Sequence, residues 1–320
     1  AQLEFADELI SRGFEVNRHA YFSAGHFTNS CVPALLCPEF YDSFIQPTVE
    51  SDADYDFLIR DTQDGQAVQT QNILSTLRYN TEIGSGLRKA NYNISLSASS
   101  FVDFYFGDTD HHFYTPGKGV LCDGQNYKAD NVVLLADNSK TFIDTFAQPL
   151  HDIYFELFPM KQEKTVGMVQ SSEIDTASGN NVFVVIAKQA MELLDPPYFS
   201  LIYFNDCHTP FDINEYGETV REDSTNVFDY PEAHKYEIKV IIKMLDAILA
   251  KDPDAIIIIQ GDHGLHGNTE QDFQAAFGAD ASADELWNCV MSAIRIPEKY
   301  RNGEEEYAFT NPLNISRYLV

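Results

Sequence analysis

Long apolar runs are missing from this 320-residue chain. The longest candidate, Ala255-Ile-Ile-Ile-Ile-Gln260, falls far short of the roughly 20 residues that a helix needs to cross a bilayer, so no stretch reads as a transmembrane helix. Cationic residues are also scarce: Lys+Arg number 21 against 49 Asp+Glu, a formal net charge of −28. A field of that sign repels a nucleic-acid backbone or an anionic membrane surface at long range and excludes both as the main partner. It leaves room for a bound divalent cation, which can receive an anion locally. The five cysteines, Cys31, Cys37, Cys122, Cys207 and Cys289, form no CxxC pair and follow no regular spacing. Neither a disulfide framework nor a structural zinc site is therefore expected. Internal repeats and low-complexity segments are absent as well.

What remains has the balance of a globular chain, with 44% apolar and 22% charged residues. Helical and strand patterns alternate, which predicts a layered α/β fold with a mostly parallel central sheet. Helices are expected at Phe5–Phe14, Ile73–Lys89, Ser139–Phe158, Asn181–Leu194 and through the 3.6-period series Tyr236, Ile238, Ile241, Ile242, Leu245, Ile248 and Leu249. Strands are expected at Tyr92–Leu96, Val132–Ala136, Tyr198–Phe204, Ala255–Gln260 and Cys289–Ile296, with a last helix from Pro312 capped by Asn311. The Ile run is apolar on both faces and reads as a central parallel strand, joined to Tyr198–Phe204 by a right-handed crossover through the long helix. No linker divides the chain, so residues 1–320 read as a single domain. It opens directly on an amphipathic helix at Ala1 and stops on the apolar run Ile315–Val320, and both ends are expected to be truncated.

Three stretches could carry chemistry. Gly261-Asp262-His263-Gly264 follows the Ile strand at the edge where ligands collect in open parallel sheets. A carboxylate beside an imidazole suits Zn²⁺ or Mn²⁺ better than Ca²⁺, which prefers oxygen alone; the plain alternative is a turn after a strand. Asn205-Asp206-Cys207-His208-Thr209-Pro210-Phe211 ends the preceding strand, and if the two strands are neighbours, His208 shares a rim with Asp262 and His263. Asp206 reads as a ligand, as a partner orienting a histidine, or as a turn residue. Thr28 opens a helix whose apolar face is Val32, Leu35 and Leu36. By itself it reads first as an N-cap and second as a nucleophile at a helix N-terminus, where backbone N–H groups favour an anion.

Taken together, Thr28-x-x-Cys31-Val32-Pro33, His208-Thr209-Pro210-Phe211, Asp262-His263-Gly264 and Asn314-x-x-Arg317-Tyr318 resemble the alkaline phosphatase and sulfatase superfamily. Their order is similar to that of the branch containing lipoteichoic acid synthase and lipid A phosphoethanolamine transferase. The resemblance implies a sulfatase-like catalytic domain, an alkaline-phosphatase-like three-layer sandwich. It makes Thr28 the metal-bound nucleophile that takes up a phosphoryl group, Asp262 and His263 ligands of Zn²⁺ or Mn²⁺, and His208 a residue that holds the substrate phosphate or assists the leaving group. His266 and His26 become candidate substrate-binding residues, while Asn314 and Arg317 are structural. The substrate implied is a small-molecule, lipid or glycan phosphate or sulfate ester. The family places such domains on the extracytoplasmic face of the cell membrane or in the periplasm, with membrane attachment only through segments not contained in this chain.

Two departures matter. The family's first strand, with its acidic metal ligand, precedes the helix at Phe5 and is not in the sequence. Sulfatases that form formylglycine carry Cys-x-Pro-x-Arg, whereas Cys31-Val32-Pro33-Ala34 is followed by Leu35, which favours the threonine route over a sulfatase. A rival of another class is a catalytically silent binding domain on the same scaffold, which would hold no tight metal. The cluster Asp108, Asp110, His111 and His112 has metal-like composition but reads as a solvated loop, as does Glu304–Glu306.

Overall fold

The computed structural model describes residues 2–18, 20–21, 28–37, 82–99, 110–115, 133–136, 178–179, 181–203, 206–221, 223–265, 269–303 and 311–319. Helix α1 (Gln2–Ser11) buries Phe5, Ala6 and Leu9, and the chain reverses at Gly13, whose φ of +82° favours glycine, into β1 (Glu15–Asn17). Then come α2 (Thr28–Leu36), α3 (Glu82–Lys89), β2 (Asn93–Ser99), β3 (His111–Thr115) and β4 (Val133–Ala136). Helix α4 (Val182–Leu193) is capped by Asn181, whose side chain accepts from the N–H groups of Phe183 and Val184. β5 (Tyr198–Ile202) leads through a long loop to α5 (Tyr230–Lys251), which starts with Pro231 in its first turn. The remaining elements are β6 (Ile257–Gln260), α6 (Glu270–Phe277), α7 (Ala283–Asn288), β7 (Ser292–Arg295) and α8 (Pro312–Leu319).

The strands form two sheets among the described residues. One has the order β4-β3-β2-β5, with β2 parallel to both β3 and β5 and with β4 antiparallel at its edge. The other has the order β1-β7-β6 and is antiparallel throughout. Among the described residues this corrects the expected mostly parallel single sheet: β6 pairs with β7 in antiparallel register and shares no ladder with β5, so the expected parallel pairing of β5 with β6 is not seen there. Nor is the Ile run buried on both faces as expected: Ile257 is buried, Ile258 and Ile259 are half-buried and Ile256 is exposed, which suits β6 at the edge of its sheet. The direction of the neighbouring strand is set by distant residues such as Ser292–Arg295.

Packing is layered around the four-stranded sheet. Ile94 and Leu96 of β2, with Phe199, Leu201 and Tyr203, face α2 and α3 through Val32, Leu36, Ile83 and Leu87. Tyr198 and Ile202 face the opposite way, onto α4 and α5. Residues Val182 to Ala187 are all buried, while Lys188 and Glu192 further along are exposed, so the helix enters the core by its first turns and is amphipathic beyond them. Helix α5 joins the two sheets: Ala233, Tyr236 and Val240 pack with α4, while Ile242, Leu245 and Leu249 pack with α1, β6 and β7. Of the expected Ile73–Lys89 helix, the described part is α3; Ser139–Phe158 lies outside the described residues. Helices α6 and α7 were not anticipated, although α6 carries a local signal, the capping box of Thr269 and Asp272.

Candidate functional site

β6 delivers Asp262 and His263 into a turn closed by contact with the segment before β7. Gly261 N–H donates to the Met291 carbonyl at 2.9 Å, and Gly264 N–H donates to the Trp287 carbonyl at 2.8 Å. Neither glycine has a positive φ; what Gly264 provides is close approach, since a Cβ there would lie 2.0 Å from the Leu286 carbonyl oxygen. At Gly261 the nearest atom would be 3.5 Å away, an ordinary contact. Asp262 is fixed at both oxygens: Oδ1 accepts from His263 N–H at 3.0 Å, and Oδ2 accepts from the Tyr203 hydroxyl at 3.2 Å.

His263 Nδ1 lies 2.8 Å from the Gly264 carbonyl, a partner that can only accept, so Nδ1 carries the proton and Nε2 the lone pair. A free Nε2 and a carboxylate oxygen are donor types that Zn²⁺ or Mn²⁺ accepts. Nε2 is 3.8 Å from Asp262 Oδ2, wider than the roughly 3.3 Å that two tetrahedral ligand bonds of about 2 Å would span. Among the described residues no group of three or more Asp, Glu, His or Cys is assembled for a metal.

The second edge is built from β5. Tyr203 N–H extends the ladder to the Ser97 carbonyl at 2.8 Å, and the chain then turns inward at Asp206, which has no exposed surface. Asp206 Oδ2 accepts from Asn181 Nδ2 at 2.7 Å, so the residue that caps α4 also anchors this loop. Of the three roles the sequence left open for Asp206, the contact described is with that cap. Cys207 N–H donates to Glu237 Oε2 of α5 at 2.9 Å. Burial, opposed by the hydrogen bonds from Cys207 and reinforced by the charges of Asp206 and Asp262, pushes the Glu237 carboxyl up to about 7. His208 follows, with Nδ1 donating to the Thr209 carbonyl, the same tautomer as His263. The two rings stand edge to face with centroids 6.5 Å apart. The C-terminal ends of β5 and β6 thus meet, although the two strands share no ladder among the described residues.

Beneath the His208 loop, Phe211 packs edge to face on Tyr230, and Tyr230 stacks on His234 at 5.2 Å. Neither buried ring nitrogen of His234 has a hydrogen-bond partner, and burial holds this imidazole down at about 4. The residues that sequence reasoning missed are Tyr203, Asn181 and Glu237. Asn181 was marked only as the first residue of a helix, and the others had no signal beyond standing in a strand and a helix.

Thr28 is the first residue of α2, and its side chain is outside what is described; His26 and His266 lie outside the described residues altogether. Helix α2 belongs to the same apolar cluster as Tyr203. Cys31, one turn further along α2, is wholly buried. Asp110 is held by Arg88 Nη1 at 2.8 Å and by Ile94 N–H at 2.7 Å. His111 begins β3 rather than lying in a loop, and its pairing with Ser95 puts it toward the end of the sheet opposite the one that leads to His208. Asn311 accepts from Leu313 N–H at 2.9 Å as the cap of α8, and Arg317 bonds Asn314 at 3.1 Å along that helix.

No protein-family model matches this chain, and no curated protein sequence matches it. Among solved structures it is similar to the lipoteichoic acid synthase LtaP from Listeria monocytogenes, at 13% identity and a TM-score of 0.47, over 93% of this chain and 60% of that one. It is also similar to Ps i-CgsB, solved in complex with k-i-k-neocarrahexaose, at 16% identity and a TM-score of 0.35, over 68% of this chain. The chain spans 47% of the length of Ps i-CgsB.

Proposed function

We propose that this chain is the catalytic part of a metal-dependent enzyme that hydrolyses or transfers phosphate esters, with Thr28 as nucleophile. The observation that supports the reading best is the meeting of Asp262, His263 and His208 at the ends of β5 and β6, strands of two different sheets, with both imidazoles in the tautomer that keeps a lone pair on Nε2. Asp262 and His263 would hold the cation together with Thr28. A bound Zn²⁺ or Mn²⁺ would lower the hydroxyl's pKa and offset charge developing on the phosphoryl group.

The residues of the chain then divide the work. Thr28 Oγ forms a bond to phosphorus as the bond to the leaving oxygen breaks. His208 Nε2 takes the proton that the Thr28 hydroxyl loses and, so charged, binds the nonbridging oxygens or gives that proton to the leaving oxygen. Water or an acceptor hydroxyl next attacks phosphorus, releases Thr28 and returns the proton, and the choice between them separates hydrolase from transferase. A lipid- or glycan-linked phosphodiester handled outside the cytoplasm is the substrate class we infer, from the motif resemblance. The buried position of Cys31 and the Leu at position 35 weigh against a sulfatase that uses formylglycine.

The test supplies purified protein with Mn²⁺ or Zn²⁺ and compares turnover of aryl phosphodiesters, monoesters and sulfates with that of Thr28→Ala. Diester turnover should fall by about a thousandfold or more in the variant. Equal turnover in the two proteins would refute the nucleophile, and elemental analysis finding no metal would favour a silent binding domain.

A further inference from the structure

We propose that Glu237 is a positioning residue for His208, acting through the backbone of Cys207. The proposal rests on the phosphate-ester reading for its activity arm. Its structural arm stands without that reading.

Three observations lead to it. Around Glu237, α5 presents Ala233, Tyr236, Val240 and Ile241 to α4, so a carboxylate at this level sits in an apolar interface where an unpaired polar group would be costly. It is paired there with Cys207 N–H at 2.9 Å, the amide immediately before His208. One residue earlier, fully buried Asp206 is held by Asn181 at 2.7 Å, and Asn181 is in turn held by two N–H groups at the start of α4. One buried and one half-buried contact, from two different helices, therefore grip consecutive residues of a loop that lies outside any strand ladder among the described residues. The next side chain is the His208 ring, 6.5 Å from His263. Catalytic groups need placement to a fraction of an ångström, and a loop achieves that only when its own backbone is tied to rigid elements.

The test separates the acceptor from the charge. Glu237→Gln keeps an oxygen at the same reach, while Glu237→Asp keeps the carboxylate and withdraws it by one methylene. Long-range ¹H–¹⁵N spectra of the imidazoles should show the Nδ1–H tautomer of His208 in the parent protein and in Glu237→Gln, and a shifted or mixed tautomer in Glu237→Asp. In the activity arm, kcat/KM for an aryl phosphodiester should fall about tenfold to a hundredfold in Glu237→Asp, carried by kcat, and be restored in Glu237→Gln. An unchanged His208 resonance in Glu237→Asp overturns the proposal whatever the activity. Glu237→Gln as damaged as Glu237→Asp also overturns it, because charge would then be what matters. If Thr28→Ala keeps full turnover, the functional reading fails, and the spectra alone decide the role of Glu237.

Discussion

Two histidines face each other across the candidate site, and they are held in different ways. His263 sits in a turn fixed by shape: Gly264 lies so close to α7 that no side chain fits, and the Gly261 and Gly264 amides are bonded to the chain around it. His208 sits in a loop fixed by polar contacts, with Asp206 tied to Asn181, Cys207 tied to Glu237, and an aromatic stack beneath. A site fixed by shape fails when volume is added and is indifferent to pH. One fixed by buried polar groups fails when a partner is shortened or a proton is added.

The largest effect that would expose this difference is Gly264→Ala, whose methyl would overlap the Leu286 and Trp287 backbone. A loss of about 3 kcal/mol or more in denaturant unfolding is expected, whereas Gly261→Ala, three positions away in open contact, should stay within about 0.5 kcal/mol. Equal losses would mean that the turn is not held by that contact. The second concerns pH. Buried His234 titrates at about 4 in the folded chain and near the ordinary 6.5 when unfolded, so between those values the unfolded state takes a proton that the folded state refuses. Stability therefore falls as pH drops through that window, by roughly 3 kcal/mol in all. His234→Phe keeps the stack on Tyr230 and should flatten this acid limb in urea titrations at pH 7 and pH 4.5; an unchanged limb would assign the loss to other groups. The smallest is Tyr203→Phe, which removes the hydroxyl bonded to Asp262 and should cost about 1 kcal/mol in thermal unfolding. A loss above about 3 kcal/mol would show that this bond does more than orient one carboxylate.

How far the sequence reached depends on the kind of information each residue holds. Helices with a strong apolar period, such as Val182–Leu193 and Tyr230–Lys251, were legible because the period is local, and so was the cap at Asn311. Strand positions at Tyr198–Ile202 and Ile257–Gln260 were legible for the same reason, but their partners were not. Pairing is decided between segments far apart, and the antiparallel match of Ile258 with Ile294 leaves no mark in either segment alone. The meeting of His208 with His263 was expected from two neighbouring parallel strands; it occurs without that pairing, through the packing of α5 between the sheets. Glu237 and Asn181 could not be found by inspection, since a lone Glu in a long helix and an Asn before one are ordinary until the loop folds onto them.

Tyr203 links two sheets that share no ladder among the described residues, its amide on Ser97 and its hydroxyl on Asp262. The phenol ring thus works as a strut of fixed length between one slab of strands and a carboxylate on the other. Any slippage of the slabs would be felt first at that oxygen, which makes the vibrational frequency of the Asp262 carboxylate a gauge of how the two slabs are aligned.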